Sequence, residues 1–379
     1  MPDLYDTDAA NTKLRSEFEI PMRLTDADPA LAGAWVRGKG KVQHLVEVAD
    51  RFGLIRALRP LHDRRRTSLT VLAYHRVVPA GSPESYPVDL ELISATPEQL
   101  DWQMEYIRRH MNPVSLAQLT AHLEGGPPLP PAAVAVTFDD GFIDTYRYAF
   151  PILRRHSIPA TVFVATGYVD SGEPFWFELA AYLTLQVEPG ALRIEECAEA
   201  FPAGHAMHER RGSLRRLHQV LKKLPNARRT EVISGWARRF AVRTDTAATE
   251  LSRPISWAQV TEMAAAGIDF GSHTVTHPNL TQLADPDLEW ELCESKRVLE
   301  DRLGRRVDTL AYPIGTPSAY DTRVVAAAKH AGFRLALSYV SGTNWLKKLD
   351  RFELRRHGVG PGTTSPYFRA LTTLPAWIG

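Results

Sequence analysis

The sequence predicts an α/β fold built on a parallel sheet, and three observations support this class. Short apolar runs rich in β-forming residues recur along the chain, at 68–73, 133–138, 159–165, 268–271, 307–312 and 334–339. Segments whose apolar residues have helical spacing lie between most of these runs. The runs are continuous rather than alternating in polarity, as in strands that are covered on both faces. Strands that alternate with helices pair in parallel, which gives an α/β architecture.

Composition limits the classes of function. The 379 residues hold 45 Lys and Arg against 44 Asp and Glu, a formal net charge of +1, which argues against a nucleic-acid binder. Hydrophobic residues make up 44% and charged residues 23%, as in an ordinary globular protein. Cys197 and Cys293 are too few for a disulfide framework and lack zinc-knuckle spacing. No signal-peptide pattern and no run of about 18 apolar residues is visible, so we expect a cytoplasmic protein.

Residues 1–67 are predicted to form an N-terminal extension with one amphipathic helix, and residues 1–34 are polar and irregular. Between Lys41 and Leu61 one face carries apolar residues at helical spacing, namely Val42, Leu45, Val46, Ala49, Phe52, Ile55 and Leu58. Packing of this face against the main domain is the favoured interpretation. Docking on a membrane surface or on a partner is the alternative. The cluster at 62–66 is predicted to be a solvated turn.

The main domain is predicted to span 68–379. Its first strand, 68–73, ends on Tyr74-His75-Arg76. A capping box of Thr96 and Gln99 begins a helix that runs to about residue 110. The next elements are a strand at 133–138, a helix through residues 146 and 153, and a strand at 159–165.

The alternation is interrupted at about 171–252, where we expect a basic helical insertion, because the strand pattern resumes after it. A second capping box, Ser256 and Gln259, begins a helix that ends near Gly267. The later elements are a strand at 268–271, a helix at 288–303, a strand at 307–312, a helix at 321–331, a strand at 334–339 and a last strand at 352–359.

Three polar motifs follow predicted strands, at 137–141 (TFDDG), 271–278 (GSHTVTHP) and 311–315 (AYPIG). In parallel α/β folds, active sites form where the C-terminal ends of strands meet. Each motif alone has an ordinary structural explanation: Asp-Asp-Gly is a common turn, and two His four residues apart often serve packing. The three together, each at a strand end, predict one site.

The residue types indicate metal chemistry. Adjacent carboxylates leave a strand end in different directions, so Asp139 and Asp140 can have different roles. His273 and His277 are four residues apart, and a helical turn would place both imidazoles on one side. Two His and one carboxylate suit Zn²⁺ or a similar divalent ion and leave coordination positions for water and substrate.

The motifs TFDDG, SHTVTHP and YPIG, in this order, resemble those of the polysaccharide deacetylase superfamily, which contains the NodB-homology domain. The resemblance covers about 69–359. The segments YHRV and FWFE resemble the bacterial exopolysaccharide branch of that superfamily. The resemblance implies a distorted (β/α)7-type barrel, here with a helical insertion and an N-terminal helical extension.

The resemblance also implies roles. Asp139 matches the general base, and Asp140, His273 and His277 match the ligands of one divalent metal, with Zn²⁺ favoured and Co²⁺, Ni²⁺ or Mn²⁺ as alternatives. The backbone N–H of Tyr312 matches an oxyanion donor, and the adjacent Pro313 is assigned to the substrate-binding surface.

The general acid is the open part of this assignment. The chain resembles the exopolysaccharide branch, whose arrangement is permuted so that the acid is a His on the first strand. This favours His75. His357, on the predicted last strand, is the alternative. Ala311 departs from the family pattern, which often places there an Arg that steadies the catalytic Asp. Another group must then tune Asp139, or the activity is weak.

The insertion adds two features. Trp176, with Phe175 and Phe177, can form a stacking wall for a sugar ring or can simply pack the insertion. Between residues 205 and 239 there are ten Lys and Arg and two acids, a local charge of 10 − 2 = +8. In one interpretation these basic residues simply lie on solvated helix faces. In the other they attract an anionic partner, such as a diphosphate-linked or lipid-linked sugar or an acidic membrane surface.

We therefore expect a metal-dependent hydrolase that removes the N-acetyl group from an acetylated amino sugar. Asp139 would activate water, and a His would protonate the leaving amine. An O-deacetylase or another amide hydrolase would use the same site. A catalytically weak sugar-binding module is a third hypothesis, which Ala311 supports.

Overall fold

The computed structural model describes residues 40–63, 68–81, 88–242 and 250–375. The irregular segment predicted at 1–34 and most of the basic turn at 62–66 lie outside these ranges. No helix in the described ranges is long and apolar enough to cross a membrane.

The strands of the described residues are β1 (Ser68–Tyr74), β2 (Arg76–Val77), β3 (Ile93–Ala95), β4 (Asn112–Pro113), β5 (Ala133–Phe138), β6 (Ala160–Val164), β7 (Leu192–Ile194), β8 (Cys197–Phe201), β9 (Asp269–Ser272), β10 (Thr309–Ala311), β11 (Leu335–Leu337), β12 (Asn344–Trp345) and β13 (His357–Gly358). The main sheet has the order β11-β10-β9-β6-β5-β1-β12. All its neighbours pair in parallel except β1 and β12. The predicted parallel α/β class is confirmed.

The helices of the described residues are α1 (Gly40–Arg51), α2 (Leu54–Asp63), α3 (Pro97–His110), α4 (Leu116–Leu123), α5 (Phe150–His156), α6 (Thr166–Ser171), α7 (Trp176–Gln186), α8 (Met207–Leu221), α9 (Asn226–Arg239), α10 (Trp257–Ala265), α11 (Asp285–Leu303), α12 (Thr322–His330) and α13 (Ser365–Thr373). A π-helical turn at Thr145–Ala149 precedes α5. Both predicted capping boxes are present, at the starts of α3 and α10.

The last strand closes the sheet into a distorted barrel. Leu354 forms a parallel bridge with Leu337 at the end of β11. Three residues further on, His357 is in parallel register with Leu72 of β1. The segment 354–358 therefore connects the two sides of the sheet. This closure agrees with the barrel expected from the resemblance and brings the C-terminal ends of β1, β5, β9 and β10 around one opening.

The structure differs from the prediction at the N-terminal helix. Instead of one helix over 41–61, α1 and α2 are separated at Phe52-Gly53, because Gly53 adopts a left-handed conformation with φ of 73°. Val46 and Ile55 pack on Tyr367 and Ala370 of α13, a helix that the sequence analysis did not predict. The other side of α1 and α2 leaves several large apolar residues exposed.

The insertion contains a β-hairpin, β7–β8, that the sequence analysis missed among the expected helices. Its helices α7, α8 and α9 share an apolar core with the hairpin. A fully buried ion-pair network attaches this unit to the barrel. Arg76, the first residue of β2, pairs with Asp144 at 2.9 Å and with Glu178 of α7 at 3.0 Å. Breaking such a network would leave an uncompensated buried charge, so the insertion is held firmly beside the barrel opening.

Candidate active site and metal centre

The carboxylate pair follows β5 on a tight turn. The Asp139 N–H donates to the Tyr74 carbonyl at 2.8 Å, which continues the β1–β5 pairing, and the Gly141 N–H then turns back to the Asp139 carbonyl at 2.8 Å. Asp140 sits between them with φ of 69°, a strained conformation for a residue with a side chain. Gly141 has φ of 75°, and a Cβ there would lie 2.7 Å from Cγ1 of Val164. The turn therefore requires glycine and points the two carboxylates in different directions.

Asp140, His273 and His277 converge as the sequence predicted. Nε2 of His273 and of His277 lie 3.6 Å and 3.4 Å from Oδ1 of Asp140. Ligands about 2.1 Å from a tetrahedral Zn²⁺ would be roughly 3.4 Å apart, so the spacing fits one small divalent cation. Oδ1 of Asp140 is buried and has no hydrogen-bond partner among the described residues. A buried carboxylate oxygen of this kind is expected where a cation binds.

A hydrogen bond holds the His273 imidazole in a tautomer suited to metal binding. Nδ1 of His273 lies 2.7 Å from the Ala311 carbonyl, an arrangement that assigns the ring proton to Nδ1 and leaves Nε2 as the ligand atom. Burial lowers the pKa of His273, and burial together with the charge of His273 lowers that of His277 well below its ordinary value. Both rings are therefore neutral near pH 7. Burial, and next the negative charge of Asp139, raise the pKa of the Asp140 carboxyl. A bound cation would reverse this rise, because it favours the ionised carboxylate.

The loop that carries the two His is fixed from behind by Glu291 of α11. This buried carboxylate accepts hydrogen bonds from the N–H groups of Val275 and Thr276 at 2.7 and 2.9 Å, and from the Thr276 hydroxyl. Thr274 and His277 both have positive φ, 69° and 54°. The loop is therefore a strained turn that Glu291 stabilises, rather than the regular helical turn suggested by the His spacing.

Asp139 is held by Arg356, which the sequence analysis did not identify. Nη1 and Nη2 of Arg356 donate to Oδ1 and Oδ2 of Asp139 at 2.6 and 2.7 Å, and both side chains are buried. Burial alone would raise the pKa of Asp139, but the Arg356 guanidinium, with His273, lowers it to about 2. Asp139 is thus ionised at neutral pH, as the role of base expected from the resemblance requires. Asp139 therefore has a guanidinium partner, which Ala311 cannot supply.

A signal for Arg356 was present in the sequence. The segment LRRHGVG lies in the predicted last strand, where successive side chains face opposite sides. One of the two Arg must therefore point into the barrel and needs an anionic partner there. The structure has Arg355 exposed and Arg356 inside.

The two candidate acids occupy different surroundings. Nε2 of His75 lies 3.9 Å from Oδ2 of Asp139, and its ring packs edge-on to Tyr339 at 5.3 Å. Burial lowers the pKa of His75 to about 4. His357 is on β13, with Nδ1 3.2 Å from the Ser341 hydroxyl, and it does not line the cavity described next.

A cavity of about 440 Å³ opens over these groups. Its inner wall contains the metal triad, Asp139, His75 and Arg356, and its outer wall comes from α8 of the insertion and from Asp89 to Leu92. The volume is within the usual range for a small-molecule site, about 300–1,000 Å³. The barrel therefore supplies the reactive groups, and the insertion supplies one side of the binding cleft.

Trp176 lines this cavity but is only 6% exposed. Its Nε1 donates to the His277 carbonyl at 3.3 Å, and the Arg229 guanidinium covers its ring at 4.4 Å. Much of the indole is thus engaged in packing, and only its exposed margin can meet a sugar. Pro313 is buried beside Tyr312 and Ile314, and these two neighbours line the cavity in its place.

The geometry argues against the oxyanion role of the Tyr312 N–H. That N–H donates to the Leu337 carbonyl at 3.0 Å, and this hydrogen bond continues the β10–β11 pairing by one residue past the end of β10. The Tyr312 hydroxyl donates to the Phe352 carbonyl at 3.1 Å. Both donors are occupied by the fold, since a peptide N–H has one hydrogen to donate.

The chain is similar in sequence to proteins named as polysaccharide deacetylases. It is 20% identical to YxkH of Bacillus subtilis, which is named as one, over 237 residues, 62% of this chain and 55% of that protein. A shorter stretch of 78 residues is 41% identical to the poly-β-1,6-N-acetyl-D-glucosamine N-deacetylase of Escherichia coli and covers 21% of this chain and 11% of that protein. The matches thus span about half, or much less, of the relatives' own length.

Solved structures show the same fold. A Streptococcus pyogenes deacetylase in complex with acetate superposes with a TM-score of 0.53 at 20% identity, over 81% of this chain and 98% of that one. IcaB from Ammonifex degensii gives 0.50 at 20% identity, over 81% and 97%. The model of the family described as polysaccharide deacetylase matches residues 126–336, more than half of the chain. The chain therefore belongs to the polysaccharide deacetylase family.

Proposed function

We propose that this protein is a metal-dependent hydrolase that removes the N-acetyl group from an acetylated amino sugar. The observation that carries the proposal is the joint geometry of the metal triad and Asp139 at the floor of one cleft. Relatives named as poly-β-1,6-N-acetyl-D-glucosamine deacetylases make a β-1,6-linked N-acetylglucosamine oligomer the first substrate to test.

Asp140, His273 and His277 would hold one divalent cation, and Zn²⁺ suits this donor set best. When bound, such a cation polarises the acetyl carbonyl and makes an adjacent water easier to deprotonate. Asp139 is the base of the proposal, because Arg356 keeps it ionised and orients both of its oxygens. The two adjacent carboxylates thus have separate tasks.

His75 is the proposed general acid. Since its pKa is about 4, the imidazole is neutral near pH 7 and must gain a proton during the reaction before it can donate one. The candidate source is Asp139, whose Oδ2 lies 3.9 Å from Nε2 of His75. Asp139 would first take a proton from water. Transfer of that proton to His75 is favourable, because the pKa of Asp139 is about 2 and that of His75 is about 4. His75 would then pass this proton to the leaving amine.

Acetate release from the oligomer, measured with Zn²⁺ or Co²⁺ present, tests the proposal. Asp139→Asn should retain the metal and lose nearly all acetate release, whereas His273→Ala should lose both. His330→Ala, a change at an exposed His on α12, is the matched control. Equal release by the wild type, Asp139→Asn and His273→Ala would exclude the site from the chemistry. Release from O-acetylated but not N-acetylated sugars would favour the esterase alternative.

The hypothesis of a weak sugar-binding module depended on Ala311, and Arg356 removes that support because Asp139 has its guanidinium partner. An anionic diphosphate or lipid carrier on the substrate remains part of the proposal. The domain limits, 1–67 and 68–379, and the cytoplasmic location remain predictions.

We also propose that α1 and α2 contact an anionic membrane surface. Phe52 and Leu45 are 76% and 67% exposed, and Val42, Val48, Leu54 and Leu58 are exposed beside them. Residues 37–66 contain nine Lys and Arg and three acids, a charge of 9 − 3 = +6. Exposed apolar residues flanked by basic ones are typical of interfacial helices.

A further inference from the structure

The basic insertion has most of its charge engaged within the fold. Arg210 is buried and donates to the Val187 carbonyl at 2.6 Å, and Arg228 pairs with Glu195, Glu196 and Glu231. Arg229 is buried against Trp176. These cations stabilise the insertion and are not available to a ligand. The local charge of +8 counted from the sequence therefore overstates what the insertion can offer to an anion.

Lys222 is not engaged in this way and also lies at the active cleft. It follows α8 directly, is half-buried, and lines the cleft that contains the metal triad. No carboxylate of the described residues lies within 4.0 Å of its ammonium group. Lys223, the next residue, is exposed and does not line the cleft.

The other charged groups that line the cleft are already matched. Asp139 pairs with Arg356. Nδ1 of His218 lies 3.2 Å from Asp89, and Nε of Arg215 lies 3.8 Å from Glu91.

Asp140 belongs to the proposed metal site. Arg216 is paired with Glu199 at 2.6 Å. Lys222 is therefore the cleft cation without an ion pair within 4.0 Å among the described residues, and Asp89 and Glu91 feel its charge only at longer range.

Lys222 shares one cleft with His75, Asp139 and the proposed metal triad. Arg215 lies seven residues earlier on the same face of the helix, and its pair with Glu91 is loose and solvent-exposed, so it can reorient at little cost.

We propose that Lys222, assisted by Arg215, forms a subsite for an oxyanion carried by the substrate, a phosphate or a carboxylate group beside the acetamido sugar. This inference rests on the proposed function, since it places the anionic group in the same cleft as the acetamide. An ammonium group is a compact point charge and does not demand the bidentate geometry of a guanidinium, so both kinds of oxyanion fit. The subsite would select substrates by the group next to the reacting sugar.

The test compares Lys222→Gln with Lys223→Gln on matched substrates. The neutral substrate is a methyl glycoside of a β-1,6-linked N-acetylglucosamine disaccharide. Its anionic counterparts carry a 1-phosphate in one case and a glucuronic acid in place of the non-reacting sugar in the other. We expect Lys222→Gln to lower kcat/KM about tenfold on at least one anionic substrate and less than about twofold on the neutral one. Lys223→Gln should change neither.

The pattern of results separates the two proposals. Which anionic substrate responds identifies phosphate or carboxylate as the ligand. An equal loss on neutral and anionic substrates would overturn the subsite and assign Lys222 to the chemistry or the fold. Unchanged kcat/KM on all three would overturn it while leaving deacetylation intact. If the metal-loaded wild type releases no acetate from any of them, the proposed function itself fails, and the subsite fails with it.

Discussion

Replacement of Arg356 by Gln should disable Asp139 without removing the metal. Arg356 makes two short hydrogen bonds to Asp139, at 2.6 and 2.7 Å, and both groups are buried. Loss of one partner from a buried ion pair costs roughly 3–5 kcal/mol of folding free energy, because the other charge is left uncompensated. We expect Arg356→Gln to fold with reduced stability and to bind Zn²⁺ normally.

The pKa argument gives the sign and size of the effect on activity. With the guanidinium gone, burial becomes the dominant influence on Asp139, and its pKa rises from about 2 to above its ordinary value. Burial can raise a carboxyl pKa by about 3–5 units, so the ionised fraction of Asp139 at pH 7 would fall from nearly all to between about 60% and 2%. Loss of alignment adds to this, and we expect kcat/KM at pH 7 to fall about 100-fold.

The pH profile of kcat/KM distinguishes this mechanism from general damage. In the wild type Asp139 stays ionised down to about pH 2, so it should cause no loss of activity between pH 8 and 4. In Arg356→Gln the ionised base forms only as the pH rises, so the acid limb should move upward by several units and activity should recover toward pH 9. Arg356→Lys, which keeps the charge, should show a smaller shift.

Arg355→Gln is the matched control, because Arg355 is the exposed neighbour on the same segment. An Arg356→Gln enzyme with normal metal content, an unmoved acid limb and less than a threefold loss would refute the assignment of Arg356 to the base. If Arg356→Gln does not fold, the Arg356→Lys profile decides the question alone.

Three further outcomes are expected. His75→Gln should lower kcat by about 100-fold with unchanged metal content, whereas His357→Gln should lower it less than fivefold; the reverse order, measured by acetate release, would assign the acid to His357. Glu291→Gln should weaken Zn²⁺ binding about 10–100-fold in a competition titration, since it loosens the loop that carries both His ligands; unchanged affinity would leave Glu291 a purely structural role. Phe52→Ser should reduce cosedimentation with vesicles that contain anionic lipid, while Trp290→Ser, at another exposed aromatic residue, should not; equal binding by both would argue against the α1–α2 surface.

The sequence predicted those features that depend on local patterns. The strand at 133–138, the two capping boxes and the three motifs at strand ends are local, and the structure confirms their positions and the convergence of Asp140, His273 and His277. The triad was predictable because parallel strands present their C-terminal ends on one side, whatever the details of packing.

Features set by distant pairings were missed. Arg356 is 217 residues from Asp139 in the chain, and only the closure of the barrel by the segment 354–358 brings them together. Lys222 and Lys223 are adjacent residues of one type, and the packing of α8 beside the barrel places only Lys222 in the cleft. The Tyr312 N–H looked available because its pairing with Leu337 depends on the register of β10 and β11. In each case the outcome depends on tertiary contacts that local periodicity does not encode.

The exchange of the usual Arg for Ala311 has a physical consequence for how the site is built. The Ala311 carbonyl at the end of β10 accepts from Nδ1 of His273, so this strand end supports one of the proposed metal ligands. The proposed base and the proposed acid are instead supported from the other side of the barrel, where β1 leads to His75 and the segment 354–358 carries Arg356.

The partners that support the proposed metal ligand His273 and the proposed base thereby lie on different strands, although Asp139 and Asp140 themselves share the turn after β5. A change at Arg356 should leave metal affinity intact while it alters the pH profile, and a change at Glu291 should do the opposite. If the two functions shared one support, either change would alter both readouts. Metal titration and pH profiles of the same pair of variants therefore test whether Arg356 substitutes for the Arg that the family often carries, or whether it only fills the barrel.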